Sequence, residues 1–246
     1  MSSLAGFKVK IFADGADYDG IVKMSRNSLI KGFTTNPSLM RKAGVSDYEA
    51  FARKVLGTIK DRPVSFEVFA DDFGSMAEQA RTIASWGPNV NVKIPVTNTK
   101  GQSSSELIRA LSSEGIVLNI TAIFTLDQVR AIADALDPKT PTIISVFAGR
   151  IADTGVDPIP HMRACKQILV SRPKAELLWA STRELLNIFH AEEAGCDIVT
   201  VPNEFLGKLN LVGKDLADYS RETVQAFYHD ATASAYEIKI ARVAAE

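Results

Sequence analysis

Residues 89–97 read Asn89-Val90-Asn91-Val92-Lys93-Ile94-Pro95-Val96-Thr97, a β-rich apolar run interrupted by a single ammonium. In a strand buried on both faces such a charge is costly unless it is paired or neutralised. Stripped of water, a lysine loses basicity and turns nucleophilic at neutral pH, which makes Lys93 a candidate Schiff-base former. The plainer reading is a lysine snorkelling out of the last turn of a strand.

Seven further runs of the same kind flank it, at residues 9–14, 32–36, 64–69, 117–123, 142–149, 176–181 and 197–202, so the run at 90–95 is the fourth of eight. Between them lie segments of helical periodicity, such as Tyr48, Phe51, Val55, Leu56 and Ile59, with charges on the opposite face. Capping-box spacing marks helix starts at Ser46 with Glu49, Ser103 with Glu106, Thr125 with Gln128 and Ser181 with Glu184. Strands alternating with helices across short turns predict an α/β fold, a single (β/α)8 TIM barrel rather than an open doubly wound sheet. No GxGxxG or GxxxxGK[ST] follows any run, so dinucleotide and P-loop readings lack their fingerprint. Residues 152–174 open with Gly155, Pro158 and Pro160, a loop expected over the barrel mouth, before turning helical. We read residues 1–246 as one domain, with 215–246 as a C-terminal helical extension that covers the barrel or docks on a neighbouring subunit.

With 46% hydrophobic content over 246 residues the chain can bury a large core. Its 28 basic and 29 acidic residues leave a net charge of -1, which argues against nucleic-acid or membrane-surface partners and points to a small substrate. The start MSSLAGFKVK lacks the apolar core of a signal peptide, and no apolar run reaches transmembrane length, so a cytoplasmic protein is expected. Cys165 and Cys196 make no metal or disulfide spacing, and His161, His190 and His229 are scattered, so no metal is expected.

In such barrels the chemistry sits where the strands finish. Polar residues stand at nearly every expected strand end: Asp14, Thr35 and Asn36, Glu67, Lys93, Asn119 and Thr121, Ser145 and Arg150, and Ser181. Singly, each has a structural alternative. Asp14 can open the turn Asp14-Gly15-Ala16-Asp17, and Asn36 and Ser181 can cap helices. Together, an amine, two carboxylates, amides and hydroxyls make a carbonyl-chemistry site. Arg150 and Arg183 add a phosphate-sized anion site, with Arg183 expected in a helical first turn after Ser181; their alternative is surface ion pairing with Asp153 or Glu184.

The motifs FADGAD (12–17), GFTTNPS (32–38), FEV (66–68), VKIPVT (92–97), GIVLNITAIF (115–124), ISVFAGRIAD (144–153) and WASTRE (179–184) resemble the transaldolase family, including its short members and the related fructose-6-phosphate aldolases. TTNPS and VKIPVT are the specific signals. The resemblance implies a class I mechanism without cofactor, in which Lys93 forms an imine with a ketose phosphate such as fructose 6-phosphate or sedoheptulose 7-phosphate. It implies that Asp14 removes the C4 hydroxyl proton, and that Glu67, with Thr121 and a water, moves protons during imine formation. Thr35, Asn36, Asn119, Phe124 and Ser145 are implied around the dihydroxyacetone part, and Arg150, Ser181 and Arg183 at the phosphate. Family members form homo-oligomers from dimers to larger rings.

Two positions bear on the branch. The fructose-6-phosphate aldolases carry glutamine at the place of Glu67 and tyrosine at that of Phe124. A phenol can protonate the enamine and release dihydroxyacetone, whereas phenylalanine cannot, so transfer to an aldose phosphate is expected over cleavage. FADGAD departs from the family's usual LDT/S pattern, though the aspartate remains. The alternatives are a cleaving aldolase, an enzyme acting on a sulfonated ketose such as 6-deoxy-6-sulfofructose, since arginines accept either anion, and a non-catalytic sugar-phosphate-binding barrel.

Overall fold

The computed structural model describes residues 6–238. Eight parallel strands close into a barrel in sequence order: β1 (Lys10–Asp14), β2 (Ile30–Thr34), β3 (Val64–Glu67), β4 (Val90–Pro95), β5 (Leu118–Ile123), β6 (Thr142–Val146), β7 (Ala175–Trp179) and β8 (Ile198–Pro202). The α-helices between and after them are α1 (Tyr18–Ser25), α2 (Pro37–Lys42), α3 (Tyr48–Thr58), α4 (Phe73–Ala84), α5 (Ser105–Ser113), α6 (Leu126–Ala135), α7 (Ala148–Ala152), α8 (Pro158–Ile168), α9 (Leu186–Glu193), α10 (Asn203–Leu206) and α11 (Leu216–Ala233). The (β/α)8 barrel is thus as expected. No helix among the described residues is long and apolar enough to cross a membrane.

The pleat explains how one strand carries both core and chemistry. In β4, Val90, Val92 and Ile94 are buried toward the helices, while Asn91 and Lys93 alternate onto the barrel interior. Across the interior, Phe12, Ile143, Leu178, Ala180 and Ile198 form an apolar cluster. Phe12 reaches over Gly32, where an added Cβ would lie 2.5 Å from the ring, so this position requires glycine. The strands nearest Lys93 place Ser65 and Asn119 at the same interior positions instead, leaving that side polar.

Several boundaries differ from expectation. β2 ends at Thr34, because Asn36 caps α2 through its side chain and Pro37 occupies the first helical turn. β6 ends at Val146 and Arg150 sits on α7, so the non-helical stretch after it is confined to residues 153–157, before α8 begins at Pro158. Of the four capping boxes only Thr125 with Gln128 forms. Asp47 caps α3 in place of Ser46, Ser104 precedes α5 without a side-chain bond, and α9 starts only at Leu186, well past Ser181. Where two polar residues adjoin, the carboxylate one residue nearer the helix wins the cap at α3, and Asp17, the last residue of the turn considered for Asp14, caps α1.

Gly6–Leu209 forms one compact unit, and the segment from Asn210 belongs to a second. In the latter, α11 buries none of its residues, exposing Val224, Phe227 and Tyr228. Residues 239–246 of the expected extension lie outside the described residues.

Candidate active site

The end of β4 meets the ends of its neighbours at a cavity of about 550 Å³ at the carboxyl face of the barrel. Lys93 is only 8% exposed there. Its Nζ lies 2.9 Å from Glu67 Oε2 and donates to the main-chain carbonyl of Thr35 at 2.8 Å. Parallel register puts Glu67 opposite Lys93, and Lys93 opposite Asn119, so three adjacent strands deliver the group. The lysine therefore does not snorkel; it is held inside the barrel.

Asp14, at the end of β1, accepts a 2.7 Å hydrogen bond from Thr34 Oγ1. Burial pushes its carboxyl above the ordinary carboxylate range, against the opposing pull of the Lys93 charge and the Thr34 bond. Thr34 in turn bonds Thr200, tying β1, β2 and β8 together. Behind the lysine, Ser145 donates to Asn119 Oδ1 at 2.6 Å and Asn119 Nδ2 donates to Ser65 Oγ at 3.1 Å. The two bonds fix the amide's orientation across β3, β5 and β6. Thr121 lines the cavity beside a register shift in β5, and its neighbour Ala122 holds a left-handed φ of 59°. Such a bulge re-aims a strand-end side chain at a cost in backbone strain.

The anion-binding residues separate. Arg150 lines the cavity, stacks on Phe147 at 5.2 Å, and makes no ion pair among the described residues. Ser181 lines it too, with a left-handed φ of 64°. Its carbonyl packs so close to Gly149 that a Cβ there would lie 1.6 Å away, so Gly149 cannot carry a side chain without the junction moving. Arg183, by contrast, is in no helical first turn. Asn187 Oδ1 accepts its main-chain N–H at 2.7 Å, and Asp153 holds its guanidinium.

Nine of the twelve residues singled out line the cavity: Asp14, Asn36, Glu67, Lys93, Asn119, Thr121, Ser145, Arg150 and Ser181. Thr35 is fully buried and contributes its carbonyl, while its hydroxyl donates to Ser65 O at 2.8 Å. Phe124 stands one ring back, 5.6 Å from Phe147. Asn36 both caps α2 and lines the cavity, so its two readings coexist. Thr34 and Phe147 were missed; alternation inward from Gly32 along β2 would have found Thr34. Among the described residues no cluster of His, Cys, Asp and Glu is arranged to hold a metal ion.

A sequence model described as transaldolase/fructose-6-phosphate aldolase matches residues 11–246, nearly the whole chain. The chain belongs to this family. It is 37% identical over 202 residues to "Probable transaldolase 2" of Listeria monocytogenes, covering 82% of this chain and 88% of that protein. It is 34% identical over 223 residues to "Probable transaldolase" of Methanococcus maripaludis, covering 87% and 99%. The fold is also that of 3-hexulose-6-phosphate synthase from Salmonella typhimurium, at TM-score 0.54 and 16% identity, over 90% of this chain and 99% of that one. Membership of the transaldolase/fructose-6-phosphate aldolase family makes the chain one of a family of enzymes of sugar chemistry, and the cavity gathers the polar ends of seven of its eight strands.

Proposed function

We propose that the chain is a class I Schiff-base transaldolase that moves a dihydroxyacetone unit from a ketose phosphate to an aldose phosphate. The observation that carries this reading is the buried Lys93 amine, held 2.9 Å from Glu67 in a cavity it shares with the Asp14 carboxylate. In this account the Lys93 Nζ, as the free amine, attacks the ketose carbonyl carbon. The proton the nitrogen loses on attack passes through Thr121 to the carbonyl oxygen, and Glu67, which took a proton from the Lys93 ammonium before attack, returns it to the resulting carbinolamine hydroxyl, which leaves as water from the iminium. Asp14 then takes the C4 hydroxyl proton, the C3–C4 bond breaks into the iminium, and an aldehyde leaves an enamine on Lys93. The enamine attacks the acceptor aldehyde, and the steps reverse. Asn36, Asn119 and Ser145 bind the three retained carbons, Arg150 and Ser181 the terminal anion, and Thr35 orients the lysine.

Strained Ala122 and Ser181, both on the cavity wall, fit a site whose geometry is held by its surroundings. The apolar residues exposed along α11 support a homo-oligomer, and we place the enzyme in the cytoplasm. Turnover of phosphorylated and sulfonated ketoses, each with and without an aldose phosphate, tests the reading. Phosphorylated donor with acceptor is expected to turn over fastest. Equal release of dihydroxyacetone without acceptor would make the enzyme a cleaving aldolase, and preference for the sulfonate would reassign the anion.

A further inference from the structure

Strand β3 outlasts its neighbour on one side, and one side chain fills the gap. On the β2 side it pairs through Phe33 with Val64 and Thr34 with Ser65, and the Thr35 N–H reaches Ser65 O at 3.2 Å. There β2 departs into Asn36 and Pro37. Main-chain groups of a strand face the same side at every second residue, so the next pair to look toward the departed strand belongs to Glu67. An N–H and a C=O left there without partners would be costly and free to shift. Tyr48, the first residue of α3, supplies both bonds with one hydroxyl. It accepts from Glu67 N at 2.7 Å and donates to Glu67 O at 2.9 Å. The ring is fixed by aromatic neighbours, with centroids 4.5 Å away at Phe69, 5.5 Å at Trp86 and 6.2 Å at Phe66. Glu67 thus has the central cavity on one side and, on the other, a second cavity of about 460 Å³ that Tyr48 also lines.

We infer that Tyr48 is a positioning residue: it substitutes for the missing strand and fixes the Glu67 main chain, so that the carboxylate stays against Lys93. The inference rests on the Schiff-base reading above, in which Glu67 moves protons during imine formation. Burial also pushes the Tyr48 phenol well above its ordinary range, so it keeps the proton it donates to the Glu67 carbonyl. Nothing in Tyr48 touches Lys93 or the space a substrate would fill in the central cavity.

Tyr48→Phe keeps the ring and removes only the hydroxyl. The test follows the rate at which borohydride traps the imine of fructose 6-phosphate on the chain, in wild type, Tyr48→Phe, Glu67→Gln and the double variant. Tyr48→Phe is expected to slow trapping on the order of ten- to a hundredfold, as loose positioning of a catalytic group does, with KM nearly unchanged. In the Glu67→Gln background the same substitution is expected to add little, because the residue it positions is already disabled. Equal trapping by Tyr48→Phe and wild type overturns the inference, as does an equal factor in both backgrounds, which marks a merely structural role. Absence of any adduct on the wild-type chain overturns the Schiff-base reading, and this inference falls with it.

Discussion

Asp153 holds Arg183 by both of its carboxylate oxygens, accepting from Nε at 3.0 and 3.2 Å and from an η nitrogen at 2.5 Å. The guanidinium holds the Asp153 carboxyl below the usual carboxylate range. Arg183 stands close to the anion end of the cavity through Ser181 and Gly149, yet its charge is already matched. Among the described residues at this end of the cavity, Arg150 is the cation left open to a ligand. The pair is exposed, so it contributes little to folding.

We propose that a terminal phosphate held by Arg150 and Ser181 also draws on Arg183, and so competes with Asp153 for it. Asp153→Asn is expected to lower KM for fructose 6-phosphate several-fold and leave unphosphorylated fructose unchanged, measured by transfer to an aldose phosphate acceptor. A rise in KM would show that Asp153 orients Arg183 for the anion instead of withholding it.

The junction between Gly149 and Ser181 makes a second prediction. A methyl group at position 149 would meet the Ser181 carbonyl at 1.6 Å, and backbone cannot yield as a flexible side chain does. Gly149→Ala is expected to destabilise the fold by about 1–3 kcal/mol, the usual cost of overpacking. It should raise KM for phosphorylated donors more than for unphosphorylated ones. Denaturant unfolding beside steady-state kinetics checks both.

Asp14 links pH to both stability and rate. Burial raises its folded-state carboxyl above its unfolded value. A group shifted this way adds stability while protonated in both states, and the contribution is lost as pH rises through the folded value. Asp14→Asn should therefore be more stable than wild type at neutral pH, with the gain vanishing in acid. As the proposed base, Asp14 must be ionised, so the acid limb of the wild-type rate profile should lie above the ordinary carboxylate range. Loss of the base should cut kcat by about 10²- to 10⁴-fold. A variant with wild-type kcat would remove Asp14 from the chemistry.

Phe124 packs against Phe147, which lines the cavity, with ring centroids 5.6 Å apart. Phe124→Tyr brings a phenol toward the proposed enamine, and release of free dihydroxyacetone is expected to rise relative to transfer. An unchanged product ratio would mean that Phe147 screens the position.

The fold was legible because each strand falls within a short, mostly apolar run bounded by turns and helical patterns, and the inward charges Glu67 and Lys93 were legible because they break that pattern. Main-chain roles were not. The Thr35 carbonyl that binds Lys93 leaves no mark on residue type, and Thr35 itself was read as a side chain. The two bonds from Tyr48 to Glu67 span 19 residues and depend on where β2 leaves the sheet, two residues earlier than its apolar run suggests. The helical first turn expected at Arg183 is absent for a related reason. The spacing from Ser181 to Glu184 fits a capping box, but the left-handed Ser181 turns the chain away, and Asn187 takes the N–H groups that a helix start would have offered.

The central claim is that Lys93 becomes covalently bound to a ketose. Incubation with fructose 6-phosphate and borohydride, followed by peptide mass spectrometry, tests it most directly. The account predicts one reduced adduct on the peptide carrying Lys93, absent from Lys93→Met, which should remain folded and lose turnover. An unmodified Lys93 in a chain that still transfers dihydroxyacetone, or an adduct on another lysine, would contradict it.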